Sequence, residues 1–322
     1  MKKAVKILGI VLGSLLVLAG GFVIYASNVY ETRMQAPVEP LALQARTDSA
    51  TLARGQQIVS LVCAHCHIGD DGTLSGRRFA DPEEGFGVLW AANITRHPDA
   101  LGRYTDGELA YVIRAGVNRE GRFLGPFMMH PNMADEDLAA IVSFLRSDHP
   151  LTRPSDFRPP TTEYSTLLKG LITLGIFNPI PVEKKTVVRP DPADKLAYGK
   201  YLATDLYLCS NCHSASFETN DILVPENSPG FFGGGNPVAD PAHTVVTPSA
   251  NITLHPEHGI GKWTEEQFIR SVKDGISPDN KAYSPAMPRF NSLEDKDLSA
   301  IWAYLQTVPV LDNEVKPVTE VH

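Results

Sequence analysis

Two short motifs carry the chemistry that the sequence makes most explicit. Residues 63–67 are Cys-Ala-His-Cys-His, and residues 209–213 are Cys-Ser-Asn-Cys-His. Two thiols one helical turn apart can add to the two vinyl groups of a porphyrin, and the following imidazole can bind its iron. Each motif therefore predicts one covalently attached haem c, held by Cys63 and Cys66 with His67, and by Cys209 and Cys212 with His213.

The spacing of the motifs weakens the other uses of paired cysteines. A structural zinc site needs both pairs within one small module. Here the two pairs are 146 residues apart, and all four cysteines of the chain lie in them. A redox dithiol would not require the histidine that follows each pair. The sequence thus favours two haem sites and leaves no cysteine for a disulfide.

The segments after the two motifs repeat each other, which predicts two similar domains. Asn-Ile-Thr recurs at 93–95 and 251–253, and His-Pro follows two residues later in each copy. Capping boxes at 105–108 and 264–267 predict helices that end at Gly116 and Gly275. A methionine loop and a final helix with Asp-x-Asp-Leu complete each copy. The second copy is longer, and a surface loop at 229–235 is predicted to hold its extra residues.

The repeat also predicts the second axial ligands of the two irons. Met128 lies 24 residues after Tyr104, and Met287 lies 24 residues after Trp263. We therefore expect Met128 and Met287 to be metal ligands, since methionine suits a high-potential haem. Met129 is the alternative in the first copy. The histidines that compete for these positions are His97, His130, His255 and His258.

Four further repeated residues are predicted to contact the cofactor. Tyr104 and Trp263 can donate a hydrogen bond to a haem propionate or pack against the porphyrin. Asn93 and Asn251 occupy matching positions and are also expected at the cofactor. Each asparagine stands in an Asn-x-Thr sequence, so N-glycosylation is the alternative reading for both.

The N-terminus predicts a membrane anchor and an exported chain. Lys2, Lys3 and Lys6 precede an uncharged run from 7 to 30, long enough for a transmembrane helix. Lysines at that end place it in the cytoplasm, so the remaining chain would lie in the periplasm. A cleaved signal peptide is the alternative. The predicted division of the chain is an anchor at 1–30, a linker at 31–50, a first domain at 51–150, a Pro-rich linker at 151–190, a second domain at 191–312 and a tail at 313–322.

Charge restricts the range of partners. The 322-residue chain has a formal net charge of −8, which argues against a nucleic-acid-binding protein. The net negative charge is greatest in the second repeat, which has fewer basic residues than the first half, and the Pro-rich linker is net positive. An acidic domain surface suits docking of a basic partner, or simply solubility. The apolar segment 162–177 in the linker is expected to pack between the domains or to contact a membrane or another subunit.

Both halves resemble class I c-type cytochrome domains, and their tandem resembles membrane-anchored di-haem cytochromes and the cytochrome c subunits of periplasmic dehydrogenases. The resemblance implies a mainly α fold with two tandem domains after a transmembrane helix. It implies an electron carrier rather than an enzyme, fed by a dehydrogenase or a quinol-oxidising complex. The acceptor would be a cytochrome or a terminal oxidase. The alternative is a bacterial di-haem cytochrome c peroxidase, which needs one iron with an open distal site.

Overall fold

A computed structural model describes residues 2–80, 85–179, 186–240 and 245–316 of the chain. The fold is mainly α-helical, as predicted. The helices of the first half are α1 Lys2–Arg33, α2 Ser49–Ile58, α3 Ala64–His67, α4 Asp106–Ala115 and α5 Asp135–Arg146. Those that follow are α6 Thr166–Thr173, α7 Lys195–Tyr201, α8 Cys209–His213, α9 Glu265–Asp274 and α10 Asp295–Leu305.

Short strands connect the helices on each side of the molecule. One antiparallel sheet has the order β1-β2-β3, and a second consists of β4 and β5. Tyr164 of the linker pairs with Gly87, so the linker adds a strand to the sheet of the first half. The strands are β1 Arg78–Ala80, β2 Gly87–Trp90, β3 Glu163–Tyr164, β4 Pro237–Ala239 and β5 Val246–Pro248.

The two predicted capping boxes are present and fix where α4 and α9 begin. The Thr105 hydroxyl accepts the N–H of Glu108, and the Glu108 carboxylate accepts the N–H of Thr105. Thr264 and Gln267 make the same reciprocal pair at α9. Both helices end at a left-handed glycine, with φ of 65° at Gly116 and 68° at Gly275. Glycine adopts this conformation without the steric cost of a Cβ atom, which explains both endpoints.

In each half, the helix before the motif crosses the last helix at a glycine. A Cβ atom on Gly55 would lie 2.0 Å from the carbonyl oxygen of Ala140. A Cβ atom on Gly199 would lie 1.9 Å from the carbonyl oxygen of Ala300. Only glycine permits this approach of α2 to α5 and of α7 to α10. A five-residue π-helical turn then leads from α2 and from α7 towards the motifs.

The two halves share one hydrophobic core. Leu138 and Leu202, from different halves, are fully buried in the same cluster. Hydrogen bonds also cross the boundary in both directions. The Tyr201 hydroxyl donates to the Asp137 carboxylate at 2.6 Å, and the Gln57 amide donates to the Ser292 carbonyl at 2.7 Å. The predicted domain boundaries remain a prediction, but the described halves pack side by side.

The outer end of α1 is part of the folded body, whereas most of the helix is not. Ala26 and Met34 are buried, but most apolar side chains before residue 25 are exposed. Helix α6 lies against α1, and a Cβ atom on Gly170 would be 3.4 Å from a ring carbon of Phe22. The linker segment therefore packs beside the N-terminal helix rather than between the two repeats.

The extra residues of the second copy are not where the sequence suggested. The backbone N–H of Ile94 donates to the carbonyl of Leu74, and the N–H of Ile252 donates to the carbonyl of Phe232. Because Ile94 and Ile252 are equivalent, Leu74 and Phe232 occupy equivalent positions. Each lies nineteen residues before the asparagine of its Asn-Ile-Thr sequence, which places all twelve extra residues before Phe232. Phe232 is fully buried, so the prediction of a surface loop at 229–235 was wrong. Its Gly-rich sequence serves close packing instead.

Candidate functional site

The histidine of each motif is held in one orientation. The Nδ1 atom of His67 lies 2.8 Å from the carbonyl oxygen of Ala92, and Nδ1 of His213 lies 2.8 Å from that of Ala250. A carbonyl only accepts, so Nδ1 carries the proton and Nε2 keeps its lone pair. Burial lowers the pKa of both imidazoles, which keeps them neutral. Each ring is thus prepared to bind a metal through Nε2.

The thiols of both motifs lie in apolar surroundings. Burial raises the pKa of Cys63 and of Cys209 to about 12. Burial also raises the pKa of Cys212 to about 11, with a smaller contribution from the charge of Cys66 in the other motif. Cys63 and Cys209 also pack against the same hydrophobic core, so one core supports both motifs.

The second motif opens into a cavity of about 420 Å³. Both thiols and His213 line one part of the cavity, and Met287 also contributes to its wall. Asn251 and Trp263 line it too, so the structure brings together all six residues that the sequence predicted for this site. The remaining wall is largely hydrophobic, with contributions from Phe232, Ile252, Ile260, Phe268, Leu298 and Ile301.

The loop with Met128 follows the same backbone path as the loop with Met287. The N–H of Met128 donates to the carbonyl of Gly125, and the N–H of Met287 donates to that of Ser284. Four residues earlier in each copy, the N–H of Leu124 donates to the carbonyl of Gly116, and the N–H of Tyr283 donates to the carbonyl of Gly275. These four hydrogen bonds give one register, in which Met128 and Met287 occupy equivalent positions.

The register changes by one residue directly after the methionines. The N–H of His130 donates to the carbonyl of Ile113. In the second copy, the carbonyl of the equivalent residue Val272 accepts from the N–H of Phe290. The first copy therefore lacks one residue between the methionine and this bond. Met129 is only 3% exposed and packs in a separate hydrophobic cluster, near Gly116. Met128 is half-buried, and nothing in its surroundings commits it to a core.

Asn93 and Asn251 each lock the chain that follows the last helix. The Asn93 amide donates to the carbonyls of Ser155 and Phe157, and its oxygen accepts both donors of Thr95. Asn251 makes the same contacts to Leu311 and Asn313, and to Thr253. The polar atoms of both amides are thus engaged by protein partners. Contact with the cofactor, through the wall that Asn251 contributes, stays a prediction.

Tyr104 and Trp263 have different neighbours although they are equivalent in sequence. The guanidinium carbons of Arg103 and Arg119 lie 5.6 and 5.7 Å from the centre of the Tyr104 ring. Trp263 is part of the cavity wall and packs against the shared core. The aromatic position is therefore retained, while the first copy surrounds it with positive charge. A hydrogen bond from either residue to the cofactor stays a prediction.

Three of the four competing histidines have partners away from the motifs. His97 Nε2 lies 3.1 Å from the Asp156 carboxylate, and His258 Nδ1 lies 2.8 Å from that of Asp312. His255 Nε2 lies 3.4 Å from the same Asp312 oxygen. His130 is buried, and its burial lowers its pKa to about 4. Nδ1 of His130 has no hydrogen-bond partner among the described residues.

The carbonyls that orient the two histidines were not identified from the sequence. Ala92 and Ala250 each directly precede the Asn-Ile-Thr sequence. That position is a detectable signal, because the asparagine locks the backbone on one side of the carbonyl. Asp137 lies in the repeated Asp-x-Asp-Leu sequence, but its partners were not identified: it receives hydrogen bonds from Arg54, Arg189 and Tyr201 at the boundary between the halves.

The residues of the second site fit a haem. The cavity combines two thiols, an imidazole with a free Nε2 and a thioether within a largely hydrophobic wall. The first site repeats the orientation of the histidine and the backbone frame of the methionine loop. The two motifs with their histidine and methionine ligands indicate two covalently bound haem c groups.

Comparison with known proteins adds an independent line of observation. The family model described as Cytochrome c matches residues 52–148. The chain is 27% identical to the fructose dehydrogenase cytochrome subunit of Gluconobacter japonicus, over 85% of the chain and 55% of that protein. It is 29% identical to the cytochrome c subunit of alcohol dehydrogenase (quinone) of Komagataeibacter europaeus, over 84% of the chain and 58% of that protein.

A third relative matches the chain over more of its own length. The protein called diheme cytochrome c-type of Cereibacter sphaeroides is 25% identical, over 78% of the chain and 83% of that protein. By contrast, the chain spans little more than half the length of the two dehydrogenase subunits. The similarity extends far beyond the segment matched by the family model, and so covers both motifs.

Proposed function

We propose that this chain, of which residues 52–148 match the cytochrome c family model, is the membrane-anchored electron-transfer subunit of a dehydrogenase complex. The chain carries electrons and provides no residue that must make or break a bond. Each bound haem supplies a one-electron iron couple. The protein's part is to ligate the two groups, to exclude water and to hold the two sites close together.

The observation that carries the proposal is the side-by-side packing of the two sites. One continuous core joins the halves, and Cys63 of the first motif and Cys209 of the second both pack against it. Two carriers that share one hydrophobic core suit a relay within a fixed assembly. The similarity to subunits named for fructose and alcohol dehydrogenases supports the same assignment.

We assign the axial ligands as His67 with Met128 and His213 with Met287. The matching backbone register supports Met128 over Met129, because Met128 alone has the turn that Met287 has. The burial of Met129 in a separate cluster supports the same choice. With both positions filled, each iron is six-coordinate and low-spin. Such closed sites suit electron transfer and disfavour the peroxidase alternative.

We place the chain in the cytoplasmic membrane, with α1 as a single span and both repeats on the periplasmic side. Residues 5–33 contain a helix of sufficient length and hydropathy to cross a bilayer. The buried outer end of α1 supports retention of this helix rather than its removal, since Ala26 and Met34 belong to the folded body. Cleavage after residue 26 would remove a contact that the fold uses.

Isolation from membranes tests the assignment. A tagged full-length chain is extracted with a mild detergent, and the proteins that remain bound are identified by mass spectrometry. We expect a dehydrogenase catalytic subunit in stoichiometric amount, and we expect its substrate to reduce both haems. Recovery of the chain alone, with haems that no dehydrogenase substrate reduces, would refute membership of such a complex. Release of the protein by alkaline carbonate would separately refute anchoring by α1.

A further inference from the structure

Helix α6 is apolar on the face that points away from the protein. Its inner face is formed by Leu168 and Ile172, which are buried in a hydrophobic cluster with Met34. The opposite side has Leu167 and Leu174 at 64% and 63% exposure. Leu171 lies between them on the same stripe, because positions i, i+4 and i+7 share one face of a helix.

This outer face differs from that of the surface helix α9. Exposed positions of α9 are occupied by polar residues, as the amphipathic pattern of a soluble helix requires. These are Glu266, Gln267 and Arg270. The apolar surface of α6 continues past the helix to Ile176, which is 64% exposed. An exposed apolar surface of this kind marks a region that a protein partner or lipid covers.

The position of α6 along α1 indicates which of these two environments covers it. Gly170 lies beside Phe22 of α1, as described above. An α-helix rises about 1.5 Å per residue, so Phe22 lies about 22 Å beyond Ile7, the first residue of the uncharged run. A hydrocarbon core about 30 Å thick that begins at Ile7 would therefore place Phe22 roughly 8 Å below its outer boundary.

The one charged residue of α6 points towards the water side. The Lys169 ammonium lies 5.2 Å from the centre of the Tyr30 ring, although Gly170 lies at the level of Phe22. Tyr30 is eight residues, or about 12 Å, further towards the periplasmic end of α1. The lysine side chain therefore extends along the helix to the polar end, as lysines near a membrane boundary do.

We propose that α6 lies in the outer leaflet of the bilayer, as a second membrane contact beside α1. This inference rests on the proposed anchoring by α1, since the apolar surface of α6 is continuous with that helix. Immersion by 5–10 Å is the usual depth of an interfacial amphipathic helix. The contact would fix how the first repeat is oriented relative to the membrane, because β3 joins α6 to the sheet of that repeat.

Thiol labelling of the full-length holoprotein in lipid nanodiscs tests this placement. Single cysteines are introduced as Leu167→Cys and Leu174→Cys, positions that are exposed and therefore tolerant of change. Leu196→Cys on α7, at 51% exposure, is the water control, and Ile24→Cys on α1, at 68%, is the lipid control. The native cysteines are bonded to haem and do not react with a charged, membrane-impermeant maleimide.

We expect both α6 variants to react at least about tenfold more slowly than Leu196→Cys, and as slowly as Ile24→Cys, because an apolar environment suppresses the thiolate. Denaturation in SDS should make all four react equally. Fast reaction at 167 and 174 with protection at 24 would overturn the proposal and leave the anchor intact. Fast reaction at 24 as well would refute the anchor. Protection at 167 that appears only when another subunit is retained would assign this face to a protein partner instead of lipid.

Discussion

Replacement of Asp137 by asparagine is expected to destabilise the folded protein far more than the same replacement of Asp297. The two residues are equivalent, since each is the third residue of the final helix of its repeat. Both side chains are nearly inaccessible, with 0% and 4% of their surfaces exposed. Their hydrogen bonds, however, differ in number and in charge.

The Asp137 carboxylate balances a positive charge at the boundary between the halves. Arg54 donates to it through Nε at 2.9 Å and through Nη2 at 3.3 Å, and Tyr201 donates at 2.6 Å. Burial lowers the pKa of Arg54, but the hydrogen bond and charge of Asp137 raise it above its usual value. An asparagine would leave the guanidinium without its counter-charge.

Asp297 has a much weaker set of contacts. The Tyr198 hydroxyl donates to it at 3.3 Å, and burial raises the pKa of its carboxyl. An asparagine oxygen can still accept from that hydroxyl, and its neutrality removes the cost of burying a charge. The replacement is therefore close to isosteric and close to neutral in energy.

The structure thus gives two different magnitudes for one chemical change. Loss of one partner of a buried ion pair costs about 3–5 kcal/mol. Arg54 is 17% exposed and retains a hydrogen bond to Gln57, so we expect the lower end of that range for Asp137→Asn, about 3 kcal/mol. For Asp297→Asn we expect a change within about 1 kcal/mol of zero.

Denaturant unfolding of the holoprotein at pH 7 measures both values. The visible spectrum of each variant should match that of the wild type, which confirms that the haem sites are intact. An unchanged slope against denaturant would confirm that the same surface is exposed on unfolding. Equal losses for the two variants, or a loss below about 1 kcal/mol for Asp137→Asn, would refute the argument from a buried counter-charge.

Three further expectations use other features of the structure. Burial raises the pKa of Asp205 to about 6, so its ionisation opposes folding. As the pH rises from about 4 through 6, the wild type should therefore lose stability that Asp205→Asn keeps, a difference of about 2–3 kcal/mol in the free energy of unfolding. Denaturant unfolding at each pH measures this difference. Met128→Ala should change the spectrum and lower the potential of one haem, whereas Met129→Ala should change neither and cost about 2–4 kcal/mol of stability; the reverse pattern would assign Met129. Gly55→Ala should cost at least about 1–3 kcal/mol, because its Cβ atom would overlap the Ala140 carbonyl; a melting temperature equal to that of the wild type would contradict this.

The sequence was informative where a feature depends on local chemistry. The capping boxes and the glycines that end α4 and α9 follow from neighbouring residues, and the structure confirms them. The repeat made further predictions possible, because a residue in one half indicates the role of the matching residue in the other. The methionine loops were found in this way, whereas the histidines follow from the motifs themselves.

Features that join distant parts of the chain were not predictable. Tyr201 and Asp137 are 64 residues apart, and no periodicity connects them. The one-residue shift between Met128 and His130 is invisible without the backbone hydrogen bonds that define the register on each side. The twelve-residue insertion was misplaced for a related reason: glycine and proline indicated a loop, but residues 231–234 are buried.

A redox titration of the purified protein, with quantification of its haem, tests the central claim most directly. The account predicts two covalently bound haems for each chain and the uptake of two electrons in two one-electron steps. It also predicts that the fully reduced protein does not bind carbon monoxide and that the half-reduced protein does not turn over peroxide, since the proposed ligands would make both irons six-coordinate. A single haem, or rapid reaction of either state with these small molecules, would contradict it.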